Sequence, residues 1–172
     1  SGQKAAGEQK ATGQATNEGQ EQQSESNEET VGWVDDWERA KEIAKKQDKH
    51  ILMNFTGTDW CRWCKVLEKD AFGKEEVIEK ASKNFVLMKI EIPRDESLVA
   101  AETLKQKKRL AQKYNPQGEY PKIFLTYADG TPYAVTSYRE GGPQVWVDYL
   151  AELREQGAEA AAAMSAAEKA EK

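Results

Sequence analysis

The run Ile51-Leu52-Met53-Asn54-Phe55 constrains the fold more than any other stretch. Five residues that are apolar except for one asparagine suit a short strand covered on both faces. Thr56-Gly57-Thr58-Asp59 marks a turn directly after it. A helix is expected from near Trp60, with Asp59 as the cap candidate, Cys64, Leu67 and Ala71 on one face, and Gly73 ending the run. Both cysteines of the 172-residue chain lie at the start of that helix, as Cys61 and Cys64, each preceded by a tryptophan.

The flanking sequence supplies the other layers. Trp33, Trp37, Ala40 and Ala44 share a face at helical spacing, and Glu75 to Ala81 reads as a short helix. Phe85 to Ile92 reads as a strand and Ser97 to Tyr114 as a helix with Lys105, Lys107, Lys108, Arg109 and Lys113 outside, a basic run read first as a solvated face. Lys122 to Tyr127 and Tyr133 to Tyr138 flank an Asp129-Gly130 turn and read as a hairpin. A last helix follows Gly141-Gly142-Pro143 and buries Trp146, Tyr149, Leu150 and Leu153. Strands joined by a helical crossover run parallel and those joined by a tight hairpin antiparallel. The expected fold is α/β, a mixed four-stranded sheet with helices on both faces.

Residues 1–30 have alanine as their only hydrophobic residue and read as a disordered polar tail or linker. Their six glutamates against two lysines carry −4 of the net charge of −5. The folded part, 31–156, is therefore nearly neutral, which argues against nucleic acid as a partner. Residues 157–172 are alanine-rich and read as a helical or frayed tail with too few large side chains to dock firmly. No apolar run approaches the ~20 residues that span a bilayer. The start at Ser1-Gly2 leaves room for a removed export signal or anchor, the only membrane link expected.

Two cysteines two residues apart suit a structural metal, a structural disulfide or a catalytic dithiol. Structural zinc takes four protein ligands, and the only other soft candidate is His50, at the start of the strand that leads to the cysteines. A Cu(I) site of two thiolates and that imidazole is the remaining metal option, and no metal is expected. A disulfide closing so small a loop constrains the unfolded chain little. Cys61 in the first turn points its sulfur at free backbone N–H groups and the positive end of the helix dipole, which favours thiolate, and Cys64 about one turn on can reach back to it. The nearer sulfur attacks a disulfide and the other resolves the mixed disulfide that results. Trp60 and Trp63 would surround the sulfurs with apolar surface for a protein substrate; Trp60 also suits packing against the domain, whereas Trp63 is harder to bury.

These features together resemble the thioredoxin-like superfamily, and within it the thioredoxin-related branch common among exported bacterial proteins. The resemblance runs from about Trp33 to Leu153 through ILMNF, TGTDWCRWCK, LEKDAF, EEVIEKASKNFVLMKIEI, Tyr120-Pro121 before KIFLTYADG, and Gly141-Gly142. It implies that Cys61 attacks and Cys64 resolves, that Pro121 is a cis proline facing the dithiol, and that the backbone of Tyr120 pairs with substrate. Trp60, Arg62, Trp63, Tyr120 and Pro121 are the substrate-binding candidates. It implies no cofactor beyond the dithiol, disulfide-bonded protein substrates, an upstream reductase that restores the thiols, and a monomer in the periplasm or cell envelope, with the cytoplasm as the alternative. Arg62-Trp63 stands where the family has Gly-Pro, and its cation favours the reduced state, making the chain less reducing than thioredoxin. Asn54 stands for the family's buried aspartate and cannot move a proton, so Asp59, Glu68 or water must serve Cys64. The alternative to an enzyme is an adaptor that keeps fold and dithiol but turns over poorly.

Overall fold

The computed structural model describes residues 29–171, so most of the expected polar tail lies outside the described residues. Its central strand is β2 (His50–Thr56), buried along almost its whole length as the apolar run requires. β3 (Phe85–Glu91) pairs with it in parallel and β4 (Lys122–Thr126) antiparallel on the other side. β5 (Pro132–Thr136) closes the hairpin with β4. Gly130 takes φ 91° in the connecting turn, a conformation that costs a glycine little.

Among the described residues the sheet has five strands, in the order β1-β3-β2-β4-β5, and not four. Trp33, expected on the first helix, belongs with Val34 to β1 (Trp33–Val34), which pairs in parallel with Leu87 and Met88 of β3. The helical spacing of Trp33 and Trp37 misled because Asp36 interrupts it. That residue is the N-cap of α1 (Trp37–Gln47), and its carboxylate accepts from the Arg39 N–H at 2.8 Å. Glu38 in the first turn and Lys45 and Lys46 in the last complement the helix dipole.

Side chains on successive strand residues alternate between two cores. On one face Leu52, Leu87, Ile123 and Leu125 meet α2 (Arg62–Leu67), a π-helical turn (Glu68–Phe72), α3 (Glu75–Ser82) and α5 (Gly142–Ala170), which contributes Trp146 and Leu150. On the other, Ile51, Met53, Phe55, Val86, Met88 and Ile90 meet α1 and α4 (Ala101–Tyr114). The helix expected from Ser97 is split: a 3-10 turn, Glu96–Leu98, is capped by the Asp95 carboxylate, and Val99 is extended before α4 begins. The basic run on α4 is not wholly solvated, since Lys107 is only 5% exposed.

Gly157 does not interrupt α5. Tyr127 Oη donates to its carbonyl at 2.7 Å, and the Tyr133 ring lies over its Cα.

Candidate functional site

The dithiol sits where β2 hands over to α2. Gly57 lets the Trp60 indole lie across the backbone; a Cβ there would come within 2.3 Å of the ring. The indole Nε1 donates to the Ile92 carbonyl at 2.8 Å, and the Thr58 N–H and hydroxyl both donate to one Glu91 oxygen, at 2.8 and 2.9 Å. The turn is thus pinned to the end of β3. Asp59 is not the helix cap: its carboxylate accepts from the N–H groups of Arg94 and Asp95, and those bonds hold its pKa below the usual range. Cys61 is the N-cap of α2 instead, and its sulfur accepts from the Cys64 N–H at 3.3 Å.

Both cysteines are free thiols, 7% and 2% exposed for Cys61 and Cys64. Burial, reinforced by its hydrogen bond to Cys61, pushes the Cys64 thiol up to about 11, against an opposing pull from the Gly57 backbone and the Thr56 hydroxyl. At neutral pH the two sulfurs therefore share one helix start with Cys64 holding its proton.

The Tyr120-Pro121 peptide bond is cis, as the resemblance implies. Tyr120 stands within electrostatic reach of Cys64 and stacks edge-on against Trp60, ring centroids 5.2 Å apart. Trp60 therefore packs against the domain, whereas Trp63 is 49% exposed. Its ring lies 5.0 Å from that of Tyr138, and the Arg62 guanidinium approaches its face at 5.5 Å. Tyr138, whose hydroxyl donates to Asp70 at 3.3 Å, was missed by the sequence reading. It comes from the far side of the β4–β5 hairpin, and nothing local in the sequence ties it to residue 63.

Of the groups proposed to serve Cys64, Asp59 is committed to the loop, while Glu68 follows Cys64 by one helical turn and pairs with Lys89 at 3.4 Å. Lys89 stands in register with Asn54, which is 2% exposed and whose Oδ1 finds no hydrogen-bond partner among the described residues. A buried carbonyl left unpaired costs about 1–3 kcal/mol. His50 does not join the cysteines. It begins β2 at the other end of the strand, roughly 20 Å away at the rise of an extended chain, and its Nδ1 lies 2.7 Å from the Tyr133 hydroxyl.

A parallel-centred sheet with a cysteine pair at the start of the following helix, and a cis proline ahead of a neighbouring strand, defines a thioredoxin-fold dithiol protein. The sequence agrees: a thioredoxin-like family model matches residues 32–128, more than half of the chain, and the chain belongs to that family. It is 26% identical over 114 residues to the disulfide bond reductase DsbH of Chlamydia pneumoniae, covering 64% of this chain and 68% of that protein. Among solved structures, a DsbH oxidoreductase superposes with a TM-score of 0.65 at 22% identity, over 72% of this chain and 83% of that one. A disulphide isomerase from Xylella fastidiosa Temecula1 gives 0.50 at 22% identity, over 68% and 87%.

Proposed function

We propose that this chain reduces disulfides of protein substrates, with Cys61 as the attacking and Cys64 as the resolving thiol. Thiol–disulfide exchange at a cysteine pair is its type of activity, and the pair is itself the redox centre. The observation that carries the assignment of roles is the asymmetry of the two sulfurs: one caps the helix, the other is buried behind it as a protonated thiol.

The exchange balances without any other cofactor. The Cys61 thiolate attacks one sulfur of a substrate disulfide, the other substrate sulfur leaves as a thiolate and takes a proton, and a mixed disulfide remains. Cys64 then loses its proton and attacks the Cys61 sulfur, expelling the second substrate thiolate. Two electrons have passed to the substrate, and the Cys61–Cys64 disulfide must be reduced by an upstream reductase. Glu68, one turn along the helix and paired with Lys89, is the acceptor we assign to the Cys64 proton.

The aromatic rim of Trp63 and Tyr138 and the polar backbone around Tyr120 suit a polypeptide substrate better than a small molecule. We place the monomeric chain outside the cytoplasm, the setting its sequence resemblance implies. No helix among the described residues is long and apolar enough to cross a membrane. The 7% exposure of Cys61 favours the rival reading, an adaptor that keeps the dithiol but turns over slowly. Insulin reduction with dithiothreitol separates the two: the enzyme accelerates B-chain precipitation above the reductant alone, and a rate equal to that background would establish the adaptor.

A further inference from the structure

β1 ends after two residues, so among the described residues the outer edge of β3 beyond Met88 has no strand beside it. The segment Leu98 to Thr103 crosses that edge at a distance and leaves a cleft of about 590 Å³, walled also by Asp35, Thr58, Lys89 and Glu91. Lys107 reaches into it from α4. The residue is 5% exposed, no hydrogen bond or ion pair among the described residues holds its ammonium, and the nitrogen is not among the fully buried polar atoms, so it meets solvent. An ammonium on a largely buried stem with no protein acceptor is open to an anion from outside. The two carboxylates that face it do not supply the bond: Glu91 is turned to Thr58, and the Asp35 carboxylate, exposed, acts only through space. Lys89, the other cation of the cleft, is already paired with Glu68.

From these contacts we propose that the cleft is a carboxylate-binding subsite for the substrate chain, in which an acidic side chain near the substrate's half-cystine completes the coordination of the Lys107 ammonium. The inference rests on the exchange activity proposed above. Its reach follows from the chain itself: Thr58 walls the cleft and precedes Cys61 by three residues, so the two Cα atoms are at most roughly 11 Å apart. About three extended residues of substrate span that gap. Lys107 can give a charge-assisted bond to a carboxylate, which favours an acidic over a neutral residue. Glu91 also links the subsite to the turn that presents the dithiol, because its carboxylate holds Thr58.

Two probes separate the sources of the carboxylate. Sodium acetate, titrated at constant ionic strength into the ¹⁵N-labelled protein, should shift the amides of Thr58, Val99 and Thr103, and a Lys107→Met protein should lose those shifts. Two blocked disulfide peptides, identical except for Glu or Gln three residues from the half-cystine, should differ in KM by roughly tenfold in favour of Glu, the worth of one charge-assisted bond. Lys107→Met should bring that ratio to one and Lys107→Arg should restore it. Asp35→Asn, at an exposed position that does not endanger folding, should enlarge it by removing a repelling carboxylate.

Acetate shifts without a Glu preference would keep the subsite for small free carboxylates and overturn its assignment to substrate. Absence of both, or a Glu preference that survives Lys107→Met, would overturn the proposal. Inactivity toward both peptides together with intact acetate shifts would count against the exchange activity alone.

Discussion

Cys64 carries a pH dependence with a definite sign. Its thiol is raised by burial and by the hydrogen bond to Cys61 from the ordinary 9.0 to about 11, so the fold favours the protonated form. That contribution is complete below pH 9 and is lost as pH rises toward 11. The reduced protein should therefore lose more stability across that window than Cys64→Ser, measured by thermal denaturation with reductant present. Parallel curves for the two proteins would mean that the buried thiol is not held as described. Tyrosines raised by burial, Tyr133 above all, titrate in both proteins and cancel in the comparison. Trp63 offers a second test at this scale. Exposed and stacked on Tyr138, it is placed to meet a polypeptide, and Trp63→Ala should raise KM for insulin about 3- to 10-fold while kcat falls less. An unchanged KM would remove the aromatic rim from the substrate surface. Legibility at this scale followed sequence distance. The cysteines and Pro121 could be read because each stands in a local pattern, whereas Tyr138 and Lys107 owe their positions to contacts across the fold.

At the scale of elements, the turn between β2 and α2 is the part on which the chemistry depends. The strand is fixed by its apolar run, and the helix starts at Cys61 because Asp59 is drawn off to the segment after β3. No local rule could assign Asp59 that role, since a carboxylate at a helix start is the usual cap and the competing N–H groups are 35 and 36 residues away. β1 escaped sequence reading for a similar reason: two residues have no periodicity of their own, and only the edge of β3 makes them a strand. The two-sided core was readable because the nearly continuous apolar run 51–55 suits only a strand covered on both faces. Gly57 tests the turn directly. Gly57→Ala forces a Cβ into the Trp60 ring at 2.3 Å, so the indole must shift and loosen its bond to Ile92. Stability should drop by about 1–3 kcal/mol in urea unfolding, as overpacking does, and the rate of insulin reduction should fall with it. A variant with lowered stability and unchanged rate would show that the turn does not position Cys61.

For the molecule as a whole, function and anchoring of α5 occupy opposite ends of the sheet. The dithiol lies at the end of β2, and the start of that strand carries His50, hydrogen-bonded to Tyr133, whose ring covers Gly157. The composition of 157–172 suggests a separate tail. We propose that the docked helix reaches at least Gly157, held by Tyr127 and Tyr133, with the alanine-rich remainder extending beyond that contact. Gly157→Ala would place a Cβ 2.4 Å from the Tyr133 ring, so despite the better helix propensity of alanine it should lower stability by roughly 1–2 kcal/mol. Insulin reduction by the folded variant should be unchanged, and a matching fall in rate would show that the two ends are coupled.

The account depends most on the unequal roles of the two sulfurs, and trapping of mixed disulfides reads those roles directly. Under the proposed roles, Cys64→Ser keeps the attacking sulfur at the helix start with no internal thiol to release the substrate, whereas Cys61→Ser leaves only a buried, protonated thiol. With each variant expressed in its native compartment, quenched in acid, alkylated and run on a non-reducing gel, Cys64→Ser should carry covalent protein adducts and Cys61→Ser almost none. Equal adducts on both variants, or a majority on Cys61→Ser, would contradict the assignment.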